Sequence, residues 1–287
     1  MVAGTDMRNI FITVSYDGTD YCGWQLQPNG VSISEKLNEA IKKVTGESVT
    51  IYGSGRTDSG VHAYAQSANF HTESDIPVNK FVSALNYYLP DDIRINGARE
   101  VRESFNSRFD AKGKSYIYRI YNAPALSPFY DGYAWHVKFP LNVVAMSDAS
   151  KVLLGVHDFR AFMAQGSNVK TTVREIYSID IEKLPLFESS APQDMFSCRL
   201  SSSGDVRFGE DAGIIQITIT GSGFLYNMVR IITGTLVEVG LGKKEPEDLK
   251  TIIDTRDRTL AGHTAPPQGL CLMKVYFSDE QDRKSVV

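Results

Sequence analysis

The chain has 287 residues, 42% of them hydrophobic and 22% charged, with a formal net charge of -4. That is enough apolar material for a sizeable core, and the absence of long biased tracts excludes a chain disordered throughout. No apolar run reaches the roughly 18 residues that span a bilayer, and the start, MVAGTDMRNIF, lacks the basic-then-apolar pattern of an export signal.

The first element is a strand: Ile10, Ile12, Val14 and Tyr16 alternate with Phe11, Thr13 and Ser15, and Asp17-Gly18 supplies a turn. Ile33, Leu37, Ala40, Ile41 and Val44 then recur at helical spacing, with Ser32 and Glu35 placed as a capping box and Gly46 as a stop. Residues 49–52 read as a strand, GSGRTDSG at 53–60 as a loop and VHAYAQSANF as a further strand. A second helix takes in Phe81, Ala84, Leu85 and Tyr88 and ends before Pro90. Beyond Phe109, Tyr116, Tyr118 and Ile120 mark a strand and 143–156 an amphipathic helix. REIYSIDIE and GIIQITIT are strands, 224–239 a long helix, Pro246 the first turn of a helix through Ile253, and LCLMKVYF a closing strand. The alternation predicts an α+β protein of two halves, 1–109 and 110–287, each burying a sheet face under helices. The polar stretch 184–213 is expected to be an excursion or long hairpin.

Cys22, Cys198 and Cys271 are odd in number, far apart and without a C-x-x-C pair, which fits a reducing cytosol and predicts a cytoplasmic location. The five histidines are scattered without metal-binding spacing, so no metal is implied. The acidic total counts mildly against nucleic-acid binding. Locally, however, Arg108, Lys112, Lys114 and Arg119 face the single acid Asp110, a segment suited either to a phosphate backbone or to a solvated surface.

The sharpest motif is the loop at 53–60. Its glycines permit tight backbone and close ligand approach, while Arg56 and Asp58 supply opposite charges; the same composition also makes ordinary turns. It lacks the G-K-[ST] of a Walker loop, and Asp58 stands where a dinucleotide fingerprint needs glycine, so a nucleotide cofactor is not expected. Phe224 and Leu225, following Gly221-Ser222-Gly223, are candidates for the apolar wall of a pocket as well as for plain core.

Six blocks in order, YDGTDYCGWQLQPN (16–29), GSGRTDSGVHA (53–63), RFDAKGKSYIYRIYN (108–122), HDFRAF (157–162), GFLYNMVRIITGTLVEVG (223–240) and DRTLAGHTAPPQGL (257–270), cover most of the chain. Together they resemble the tRNA pseudouridine synthase A family. The resemblance implies that Asp58 is the nucleophile, Arg230 the basic residue paired with it, Tyr116 an aromatic platform for the target base, and Arg56 a group for base extraction or phosphate contact. Phe224 and Leu225 would then flank the uracil. It further implies two ferredoxin-like or RRM-like α/β halves around a mainly antiparallel sheet with a central catalytic cleft. The implied substrate is the tRNA anticodon stem-loop at positions 38–40, held by a homodimer, with no cofactor. The stretch 184–213, the tail before Arg8 and the tail after Phe277 have no counterpart in the pattern.

The residues alone leave two rivals. A non-catalytic RNA-binding module would use Tyr116 and the basic strand, with Asp58 merely shaping a turn. A glycoside hydrolase would need a second acid paired with Asp58, and no motif nominates one.

Overall fold

The computed structural model describes residues 7–28, 30–166, 169–185 and 212–278. Strand β1 (Arg8–Tyr16) buries Ile10, Ile12 and Val14 completely. Helix α1 (Ile33–Thr45) begins where the Ser32 hydroxyl accepts the Glu35 amide and the Glu35 carboxylate accepts the Ser32 amide. It ends at Gly46, whose φ of 80° closes the last turn onto the Lys42 carbonyl. These caps satisfy end groups that the helix cannot pair internally, an effect of about 1 kcal/mol at the N-terminus. Then come β2 (Tyr52–Gly53), β3 (His62–Thr72), α2 (Val78–Tyr88) and β4 (Ile93–Val101).

The second series comprises β5 (Gly113–Asn122), β6 (Trp135–Val137), α3 (Val143–Ser150), β7 (Gly155–Asp158), β8 (Val173–Pro185) and β9 (Gly213–Gly221). Helices α4 (Met228–Gly240) and α5 (Asp248–Thr255) and strand β10 (Leu270–Tyr276) complete it. One open sheet runs β4-β1-β3-β10-β5-β9-β8-β7, with β2 added to β3 and β6 to β5. Its pairings are antiparallel except β3 with β10 and β5 with β6. The four principal strands of each series take the same spatial order, fourth-first-third-second: β4-β1-β3-β2 and β10-β5-β9-β8. That is the split βαβ arrangement, present twice, and it makes the α+β expectation concrete.

The two sets meet on a single strand edge. β10 pairs with the start of β3 (Cys271 opposite His62, Leu272 opposite Ala63), while β2 pairs further along the same strand (Gly53 opposite Ala68). A chain leaving β2 must therefore cross the seam before entering β3, and the stretch that does so is the 53–60 loop. Buried side chains from both series form one continuous core, with Leu37, Ile41, Phe81 and Leu85 on the first two helices and Ile231, Ile232 and Leu236 on α4.

Several expectations need correction. The helix expected over 143–156 stops at Ser150; after a short 3-10 turn, Gly155 adopts φ 88° and the chain enters β7. The helix expected over 224–239 starts only at Met228, because Asn227 sits in the left-handed region at φ 59° and cannot continue a right-handed turn. The strand expected over 49–52 contracts to Tyr52–Gly53. Strands β4, β6 and β7 were not expected. Pro185 pairs with Gly213, so β8 and β9 frame the excursion, whose residues 186–211 lie outside the described residues.

Helix α4 is buried at 11 of its 13 residues and lies tightly against the segment before β10. A Cβ on Gly234 would collide with the His263 carbonyl, and one on Gly262 would come within 2.7 Å of the Thr235 backbone. Backbone against backbone leaves nothing to yield. Gly234→Ala is expected to lower stability by about 1–3 kcal/mol through overpacking. Denaturant unfolding measures this directly, and an unchanged midpoint would show that the two segments separate freely.

Candidate active site

The seam loop is fixed by Gln66 and Ser67 of β3 and by residues 16–24. The Ser54 amide donates to the Ser67 carbonyl (2.8 Å) and its hydroxyl to Gln66 Oε1 (2.6 Å), while Gln66 Nε2 donates to the Gly55 carbonyl (3.0 Å). The buried Thr57 shares a 2.8 Å hydrogen bond with the Tyr16 hydroxyl, and its carbonyl accepts the Trp24 amide. The Tyr21 carbonyl receives the Gly60 amide and the Ser59 hydroxyl. Two glycines allow this approach: a Cβ on Gly18 would strike the Val61 carbonyl, and one on Gly23, at φ 107°, would lie 2.5 Å from the Thr57 carbonyl. The first sequence block is therefore the frame of the second.

Asp58 projects from this frame toward α4. Its Oδ2 lies 3.8 Å from Nη1 of Arg230, with about a quarter of the Asp58 side chain still exposed. At that separation the pair is an ion pair without a hydrogen bond, so the carboxylate oxygens remain open to another partner. The guanidinium is anchored elsewhere: Nε donates to the Ala265 carbonyl (2.6 Å) and Nη1 to Asn227 Oδ1 (2.8 Å). Burial raises the Asp58 carboxyl above its ordinary value of 3.8, and Arg230 pulls it down by less. The arginine thus moderates a desolvated carboxylate rather than fully compensating it.

Tyr116 occupies the middle of β5, between Ile219 of β9 and Leu272 of β10. It is 8% exposed, and its ring meets Phe224 edge-on, at 5.2 Å and 86°. Burial, with Tyr16 and Asp58 nearby, holds its hydroxyl protonated far above the usual tyrosine range. Tyr118, two residues on along the same face, is completely buried and donates to the Pro266 carbonyl at 2.7 Å.

The structure therefore gathers Asp58, Arg230, Tyr116 and Phe224 around the seam. Leu225 is buried in the core, its amide on the Met228 sulfur at 3.5 Å. Arg56 is exposed and, among the described residues, forms neither a hydrogen bond nor an ion pair, so it does not make the turn salt bridge with Asp58. Sequence reasoning missed Tyr16, Thr57, Gln66 and Asn227, which set the loop and the arginine. Only the placement of Tyr16 at the head of the first block hinted at any of them.

Doubled split βαβ units sharing one sheet, with a carboxylate, a guanidinium and an aromatic face converging at their seam, have the make-up of a base-modifying RNA enzyme. The family model described as tRNA pseudouridine synthase matches residues 12–110 and 149–278. The tRNA pseudouridine synthase A of Thermoanaerobacter sp. (strain X514) is 46% identical over 271 residues, covering 94% of this chain and 100% of the relative. Clostridium perfringens (strain 13 / Type A) has a tRNA pseudouridine synthase A 2 that is 47% identical over 271 residues, with the same two coverages. The chain belongs to the tRNA pseudouridine synthase family, isomerases that act on RNA.

The raised Asp58 carboxyl has a consequence for stability. The folded protein holds this proton more tightly than the unfolded chain, so the Asp58 contribution favours folding at low pH and is lost as pH rises through the folded-state value. Asp58→Asn, a neutral mimic, is expected to melt above the wild type at pH 7, with the gap closing as pH falls toward 3.8. Thermal scans across pH read this out. A variant that melts lower at pH 7 would mean that the arginine outweighs burial.

Proposed function

We propose that this protein converts uridine to pseudouridine at positions 38–40 of the tRNA anticodon stem-loop, with Asp58 as nucleophile. The observation that carries the reading is the half-buried carboxylate held 3.8 Å from an anchored guanidinium, within reach of the Tyr116 ring's field. The reaction breaks the bond between N1 and C1′, turns the uracil, joins C5 to C1′, and moves one hydrogen from C5 to N1 with no net redox change. A carboxylate that bonds covalently to the nucleotide, at uracil C6 or at ribose C1′, divides this change into easier steps. Since it must act while ionised, Arg230 serves by favouring that form without occupying its oxygens.

The target base must leave its stack to reach such a site. Tyr116 offers it an aromatic face, an interaction of about 1–3 kcal/mol per base. Phe224 and Leu225 supply the apolar side, and Arg56, exposed on the same loop as Asp58, helps extract the target nucleotide or holds its phosphate. Residues 1–109 and 110–287 act as the two walls of the cleft, and two copies of the chain together hold one tRNA in the cytoplasm. No cofactor enters this scheme.

With tRNA tritiated at uridine C5, the wild type is expected to release tritium and Asp58→Asn essentially none, while both bind RNA. Equal release from the two would remove Asp58 from its role; binding without release from either would make the protein an RNA-binding module. Arg230→Ala is expected to reduce turnover far more than tRNA affinity, and to move the acid limb of kcat/KM to higher pH, because the carboxyl loses the charge that lowers it. An unmoved limb with wild-type turnover would break the proposed partnership.

A further inference from the structure

The basic segment before the catalytic strand divides when its side chains are placed. Arg119 lies on the outer side, its Nε bonded to Gln216 Oε1 at 3.3 Å, and Lys112 is exposed. Asp110, the one acid of the segment, accepts from Arg102 at 3.0 Å and from the Asn106 amide at 2.8 Å. Lys114 differs from its neighbours. It lies two residues before Tyr116 in an unbroken register with β9, hence on the same face of β5, about 7 Å along the strand.

Room for its side chain exists because glycines stand on two sides. Its partner across the sheet on β9 is Gly221, and any Cβ on Gly55 of the seam loop would collide with Lys114 Nζ. The ammonium thus rests against the backbone of the same loop that carries Asp58. Its charged neighbours are Arg108 and Arg174, both cations, and burial together with these two pushes it down to about 8. Arg174 is itself half-buried, donating to the carbonyls of Thr171 and Val173. Among the described residues Lys114 has no hydrogen bond or ion pair, and neither arginine has an acidic partner.

A largely desolvated ammonium set against the Gly55 backbone, with two arginines as its charged neighbours and no counter-charge, is unfavourable in the free protein. It becomes favourable once an anion enters. We propose that Lys114, flanked by Arg174 and Arg108, holds a backbone phosphate of the RNA next to the nucleotide presented to Asp58. This rests on the reading that the substrate is tRNA. A phosphodiester suits the site because it is the anion that accompanies every nucleotide, and a base stacked at Tyr116 brings its adjoining phosphate within one strand step of Lys114. Lys114 is then a positioning residue: it fixes the chain on one side of the flipped base while the reaction proceeds at Asp58.

The test measures binding of full-length tRNA as a function of salt in the Asp58→Asn background, and turnover in the otherwise wild-type enzyme. Lys114→Met is expected to weaken binding roughly tenfold at low salt and to reduce the slope of log affinity against log salt by about 0.7–0.9, one phosphate contact. Turnover at saturating tRNA should stay within about threefold, and the free protein should melt higher at pH 7, since an uncompensated, half-buried charge is gone. Arg174→Met should reduce the slope similarly, which keeps the proposal open to refutation should the lysine variant fail to fold.

An unchanged slope in these variants overturns the phosphate site. So does a hundredfold loss of turnover with unchanged slope, which would make Lys114 a reacting group. The two readings fail separately. A wild type that forms no pseudouridine, with the variants still showing the reduced slope, sinks the reaction and leaves the phosphate contact. Pseudouridine formation with unaltered slopes does the reverse.

Discussion

The edge of β3 is shared by two strands that come from distant parts of the chain, and most of what is distinctive here follows from that sharing. β2 takes the pairing groups near Ala68 and Asn69; β10 takes those near His62 and Ala63. Backbone amides and carbonyls left unpaired in the interior are costly, so the edge must be filled along its length. Because neither strand fills it alone, the loop between β2 and β3 is trapped at the junction. It cannot drift toward solvent, since Gly18, Gly23 and Gly55 let neighbouring groups press directly against it. The carboxylate on its crest is held by main chain rather than by its own side-chain contacts, which leaves its oxygens available.

Charge is handled at this junction in a way that sacrifices stability. Asp58 is desolvated beyond what Arg230 offsets, and Arg230 spends its hydrogen bonds on Ala265 and Asn227. Elsewhere the same chain pairs its charges closely, as Arg8 does with Glu100 at 2.9 Å and Lys250 with Asp254 at 2.7 Å. The contrast between tight pairs on the outside and loosely matched charge at the seam is what a site built to receive a polar ligand requires.

Features written in local chemistry could be read from the residues. The α1 capping box, the alternation of β1 and the turn-rich seam loop all lie within a few residues of their causes. Misjudged elements were those decided by single backbone angles or by weak patterns. Asn227, at positive φ, delays the start of α4, while the helix from Val143 gives way to a 3-10 turn after Ser150 and to extended backbone at Leu154, although apolar spacing would have continued both. β4 alternates only over Ile93 and Ile95 before Gly97 and a charged run on the sheet's edge, and β6 is three residues long. Alternation along β5 already separates Lys114, on the Tyr116 side, from Arg119 on the other, but nothing local could reveal that Arg230 sits beside Asp58 or that Lys114 rests against the loop carrying Asp58. Those facts depend on the shared sheet; family resemblance pointed to the first and offered no hint of the second.

The β3–β10 pairing joins residues roughly 200 positions apart, and only two residue pairs make it. Closing so long a loop for so few hydrogen bonds is entropically demanding and kinetically slow. Each split βαβ unit can gather its own strands first, so the joint between them is the natural last step of folding and the natural first point of opening. Mild denaturant should therefore silence the enzyme while its helices and most of its strands remain, and activity should return when the two four-strand units, with β10 still on β5, close again on β3.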